Sequence, residues 1–117
     1  MSDTIYRFPA PGADAITTDL AGWVKTEGHP TMRYWVQHTT ADGSVISGTW
    51  EATPGTWHAT YQLYEFVHLI EGEIIITPDG GAPVTVGPGD AFAVEPTFKG
   101  TWQVTKPVRK HFCIKLK

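Results

Sequence analysis

A chain of 117 residues is about one domain long and can hide roughly 65% of its unfolded surface, enough for one core. Its formal charge of −3, with basic residues scattered, excludes the electrostatic footprint of a nucleic-acid binder, and no run approaches the ~18 apolar residues of a membrane-spanning helix. Cys113 is the one cysteine, so an intramolecular disulfide is excluded. Together with a Met1-Ser2-Asp3 start that opens no secretory signal, it leads to the expectation of a cytoplasmic protein.

Residues 1–30 carry Pro9, Pro11, Gly12, Gly28 and Pro30 with little periodicity. They predict an irregular wrapping arm with one short helical turn near Thr18 to Val24. From residue 31 to 117 the pattern changes to short segments rich in Val, Ile, Thr, Tyr, Phe and Trp, closed by glycine, proline or aspartate. The segments are 32–39, 44–52, 56–61, 65–70, 73–77, 82–86, 91–94, 100–105 and 108–116. Nine strands at this spacing, with five tryptophans, predict an all-β barrel or sandwich in one domain. Asp42 in Ala41-Asp42-Gly43, Asp79 in Pro78-Asp79-Gly80-Gly81 and Asp90 after Pro88-Gly89 read as turn formers.

Strand alternation assigns faces. Glu65, Val67 and Leu69 share one side of their strand, and Phe66, His68 and Ile70 the other; both sides are largely apolar, as in a barrel wall packed on a partner subunit. In the last strand Lys110, Phe112, Ile114 and Leu116 share a side. Arg109-Lys110-His111 otherwise reads as a charged strand edge, and Cys113 as a packed thiol.

Glu65 is thus one carboxylate in an apolar interior. Desolvation there disfavours its charged form unless a cation compensates, which makes it a candidate general acid or base. Lys110 is the candidate partner, in a functional pair or a structural one. Trp50, Trp57, Trp102, Tyr34 and Tyr61 are candidates to line a pocket around it, although core packing asks for the same residues. No Gly-x-Ser-x-Gly elbow and no phosphate-cradling loop is present.

These residues resemble the cupin superfamily of small jelly-roll barrels. Glu65 and Gly72 stand at the separation of the first cupin motif, and Gly89-Asp90-Ala91-Phe92-Ala93-Val94-Glu95-Pro96 matches the opening of the second. Gly48-Thr49-Trp50-Glu51, Phe98-Lys99-Gly100-Thr101-Trp102 and Pro107-Val108-Arg109-Lys110-His111-Phe112 look like a short subfamily of mostly uncharacterised cupins. Its relatives include ureidoglycine aminohydrolase domains and ethanolamine-utilisation cupins.

The resemblance implies one cupin barrel behind the arm, a homodimer, and a small-molecule ligand that is nitrogen-containing or carbohydrate-derived. It also implies a divalent metal on three histidines and a glutamate. Here the first-motif histidine positions fall at His58 and Thr60, or at Ala59 and Tyr61 with one fewer spacer, and the second-motif histidine falls at Gly100. At best His58 and Glu65 remain, too few ligands for a conventional site unless His38 or Tyr61 completes them. The expectation is therefore a metabolite-binding cupin using metal-independent acid/base chemistry at Glu65, with His58, Tyr61 or Lys110 assisting. A non-catalytic sensing or assembly module, and a metalloenzyme with an altered ligand set, are the alternatives.

Overall fold

β-branched and aromatic side chains are crowded in a helix but pack well on a pleated surface. In the computed structural model, which describes residues 4–117, they form strands and no helix occurs among the described residues. Eight antiparallel strands build one curled sheet: β1 (Trp23–Glu27), β2 (Met32–Thr39), β3 (Val45–Ala52), β4 (Gly55–Thr60), β5 (Tyr64–Pro78), β6 (Val84–Val86), β7 (Ala91–Val94) and β8 (Lys99–Lys115). The all-β expectation is met; the Met1-Ser2-Asp3 reading lies outside the described residues.

Eight strands replace the nine expected segments because two breaks are absorbed. Segments 65–70 and 73–77 join as β5 and 100–105 and 108–116 join as β8, while the added strand is β1. Gly72 and Pro107 face each other where the β5–β8 register shifts. Gly72 takes φ +95°, and a Cβ there would lie 2.3 Å from the Pro107 carbonyl oxygen; Pro107 has no N–H to give a ladder. The strands bend at this bulge and continue. The lower half of β8 then pairs with β4 and the upper half with β3, so one strand ties both ends of the barrel wall together.

The helical turn expected near residues 18–24 does not form. Trp23 N donates to the Leu20 carbonyl across a tight turn, Gly22 takes φ +84°, and Trp23 then enters β1 against the edge of β4. Val24 and Thr26, both β-branched, favour that outcome. The rest of the arm lies along β2: Ile16 and Tyr34 exchange two backbone hydrogen bonds, and the Gln37 side chain donates to the Pro9 carbonyl. This covers an otherwise bare sheet edge.

Alternation fills the interior. Trp57, Trp102, Val67, Leu69 and Ile74 are fully buried, and Trp57 stands opposite Trp102 across β4 and β8. Trp23 leans on them with ring centroids 5.1 Å from Trp102 and 5.8 Å from Trp57. Each buried indole contributes about 4–6 kcal/mol of burial as an upper bound. Where β2 and β3 come closest, only glycine fits: a Cβ on Gly48 would sit 1.8 Å from the Trp35 carbonyl oxygen.

The turn readings of Asp42 and Asp90 hold. Asp42 Oδ1 accepts from the Thr40 hydroxyl and from the Ser44 amide and hydroxyl, bonds that hold its carboxyl below the usual range, the Ser44 hydroxyl contributing most. Asp90 Oδ2 accepts from Gly87 N.

Candidate functional site

Glu65 is the first inward-facing residue of β5, paired with Val94 of β7 on one side and Ile114 of β8 on the other. A charged carboxylate survives there only with partners. It has two: Tyr61 donates its hydroxyl to Oε1 at 2.7 Å, and Lys110 donates Nζ to Oε2 at 3.0 Å. Tyr61 comes from the loop after β4, pinned by its backbone N–H to the Phe98 carbonyl. Lys110 comes from β8, opposite Trp50 of β3 and Leu69 of β5. Glu65 is 5% exposed and Lys110 1%.

The ammonium is also held by π-faces. Lys110 Nζ lies 4.5 Å from the Trp50 ring and 4.5 Å from the Trp102 ring, so two indoles replace the water it has lost. Desolvation pushes the Lys110 pKa down and Glu65 pushes it partly back, for a net lowering. Desolvation and then the charge and hydrogen bond of Glu65 hold Tyr61 well above the ordinary phenol value, so Tyr61 is a neutral donor at physiological pH.

Glu65 borders two cavities. The larger, about 360 Å³, has Trp23 and Tyr61 among its walls and the exposed Ala21, Gly22 and Leu63 at its rim. The smaller, about 40 Å³, lies among Tyr34, Ile46, Trp50 and Phe112 and has room for about one water. Burial first and Asp19 second raise the Tyr34 pKa. A wider cleft of about 630 Å³ opens on the outer surface by Arg33, Glu51 and Arg109. There the Glu51 carboxylate accepts from Arg33 Nε at 2.6 Å and Arg109 Nε at 2.8 Å; burial raises its pKa, but the two guanidiniums outweigh that and lower it. This cleft lacks the buried carboxylate, so the site is assigned to the Glu65 cavity.

Of the residues expected to act together, Glu65, Tyr61 and Lys110 meet, and Trp50 and Trp102 flank Lys110. Trp57 packs within the tryptophan cluster, its indole N–H 3.2 Å from Asp19 Oδ2, and Tyr34 reaches the small cavity. His58 does not join them. Its neighbours Trp57 and Ala59 are fully buried, so alternation sends His58 outward, where Nε2 lies 3.0 and 3.1 Å from the two carboxylate oxygens of Asp79. Asp79 is therefore a partner of His58 as well as a turn former. The sequence reading missed Trp23 and Asp19 because both fall in the stretch taken as irregular arm. It also missed Met32, whose Sδ accepts from Trp50 Nε1. The Trp-Val-Lys-Thr alternation at 23–26 was the available signal. Trp102 Nε1 is buried without a hydrogen-bond partner among the described residues.

A divalent metal does not suit these donors. The position beside Glu65 is held by an ammonium, His58 points away, and among the described residues no group of three or more His, Cys, Asp and Glu is placed to hold a metal ion.

No curated protein matches the chain. Among solved structures it is similar to a protein of unknown function of the DUF861 family from Pseudomonas syringae pv. tomato str. DC3000, with TM-score 0.75 and 22% identity over 88% of this chain and 45% of that one. The chain thus spans about half the length of that relative. It is also similar to the Clostridium difficile EutQ protein, with TM-score 0.66 and 18% identity over 74% of this chain and 69% of that one. A third is the polyketide cyclase RemF from Streptomyces resistomycificus, with TM-score 0.64 and 18% identity over 100% of this chain and 81% of that one. These likenesses show the jelly-roll fold. The EutQ-like cupin domain model matches residues 39–112, which contain Glu65, Lys110 and both bulge residues, and the chain belongs to that cupin family.

Proposed function

We propose that the chain binds a small polar metabolite in the cavity above Glu65 and performs metal-independent acid/base chemistry on it. One observation carries this reading: a buried carboxylate forms part of the lining of a 360 Å³ cavity while being held by a neutral phenol and a buried ammonium. Glu65 keeps acceptor positions free on both oxygens, so it can receive a proton from a bound N–H or O–H. Tyr61 aligns the carboxylate and supplies a donor; Lys110 balances its charge from behind. That RemF, of the same fold, is a polyketide cyclase supports a catalytic use of such a barrel.

A second reading, an assembly or ligand-sensing module, is favoured by the outer face of β5. Phe66 is 42% exposed there, beside Ala93 of β7 and Cys113 of β8. A homodimer through this face, in the cytoplasm where Cys113 stays reduced, belongs to the proposal as well.

A thermal-shift screen of metabolites, with elemental analysis of protein purified without added metal, tests ligand binding at Glu65 against a purely assembling module, for which no ligand is expected. A ligand is expected to raise the melting temperature of the parent and of His58→Ala alike, and to lose at least about tenfold in affinity in Glu65→Gln. Equal binding by Glu65→Gln, or stoichiometric Mn, Fe, Ni or Zn that disappears in that variant, contradicts the proposal.

A further inference from the structure

The charge inventory of the cavity narrows the ligand. Resting on the site assigned above, we propose that the cavity selects an organic ammonium, an amine carried on a compact apolar body. Among the described residues Glu65 is the one charged side chain lining the cavity; Thr60 and Gln62 are neutral and polar, Leu20, Leu63 and Ile114 aliphatic, and Trp23 and Tyr61 aromatic. Lys110 is not part of this surface. It is 1% exposed, is absent from the cavity lining, and its ammonium rests against the Trp50 and Trp102 rings.

A ligand entering from the rim therefore meets a carboxylate whose balancing ammonium, Lys110, does not line the cavity. Oε1 has spent one acceptor position on Tyr61 and Oε2 one on Lys110, and a carboxylate offers about four. The vacant positions accept donors only. An ammonium placed there touches Glu65 directly, whereas Lys110 stands a carboxylate's width farther off; attraction at contact exceeds repulsion at the longer distance. An anion meets the opposite arrangement and is rejected.

The aromatic walls add to the preference. The Trp23 and Tyr61 ring centroids are 6.0 Å apart with planes inclined by 46°, so two π-systems converge beside the carboxylate. Ring faces within about 6 Å attract organic cations. The volume, about 360 Å³, is at the small end of ligand cavities and fits an amine bearing about one ring or a short branched chain. Ordinary hydrogen bonding to a carboxylate would serve an alcohol too; a lining that presents the carboxylate but not its Lys110 counter-ion, together with the converging rings, is what favours a cation.

Three probes of one skeleton test this: 2-phenylethylamine, 2-phenylethanol and 3-phenylpropanoate, titrated into the whole protein at pH 7 by calorimetry, with chemical shifts of Trp23 and Tyr61 reporting the location. The amine is expected to bind at least about tenfold tighter than the alcohol, and the carboxylate not measurably. In Glu65→Gln, checked for native near-ultraviolet dichroism, the amine should fall to the affinity of the alcohol. Leu63→Trp, which fills the rim and leaves Glu65 in place, should weaken amine and alcohol together. If the alcohol or the carboxylate binds at Trp23 and Tyr61 as tightly as the amine, the ammonium assignment fails and the site stands. If none of the three binds at millimolar concentration, both fail.

Discussion

Lys110→Met is expected to cost about 3–5 kcal/mol of stability at pH 7, because it leaves the Glu65 carboxylate buried with only the Tyr61 hydroxyl as partner. Methionine fills similar volume between Trp50 and Trp102, so the loss reports charge rather than a cavity. Adding Glu65→Gln, which still accepts from Tyr61, should restore more than half of the lost stability. Urea denaturation at pH 7 measures both effects, and a Lys110→Met cost below about 1 kcal/mol would show the pair to be energetically idle.

Trp102→Ala is expected to destabilise by about 3–5 kcal/mol. Trp102 is fully buried, packs on Trp23, Trp50, Tyr61 and Phe92, and gives Lys110 one of its two π-faces. Trp102→Phe should cost much less. It keeps an aromatic face, and it removes an indole N–H that has no partner among the described residues and whose burial is itself unfavourable. Thermal unfolding of the two variants tests this ordering. If Phe is as damaging as Ala, the indole N–H has a role in the folded protein that its surroundings do not show.

Much of the architecture was legible because it is local. Period-two alternation placed Glu65 with Val67 and Leu69, and Lys110 with Phe112, on interior faces, and turn chemistry explained Asp42 and Asp90. What joins Tyr61, Glu65 and Lys110 is the β5–β8 register and the curl of the sheet, which no local pattern encodes. His58 was misplaced because motif spacing was given more weight than its own strand: Trp57, a large indole beside it, had the stronger claim on the interior. β1 escaped notice because it exists through pairing with the edge of β4, in a stretch whose glycines and prolines speak for a loop. Gly72 and Pro107 each look like strand ends; opposite one another they make a single bulge that two long strands pass through.

A crystal structure of protein purified without added metal or chelator, with anomalous data collected above the edges of Mn, Fe, Ni and Zn, tests the polar centre most directly. Glu65 should be found inside the barrel, one oxygen within hydrogen-bond reach of the Tyr61 hydroxyl and the other of the Lys110 ammonium, with no anomalous peak beside it. A metal ion ligated by Glu65, or a Glu65 carboxylate turned to the outer wall with Lys110 in solvent, would contradict the site and the function built on it.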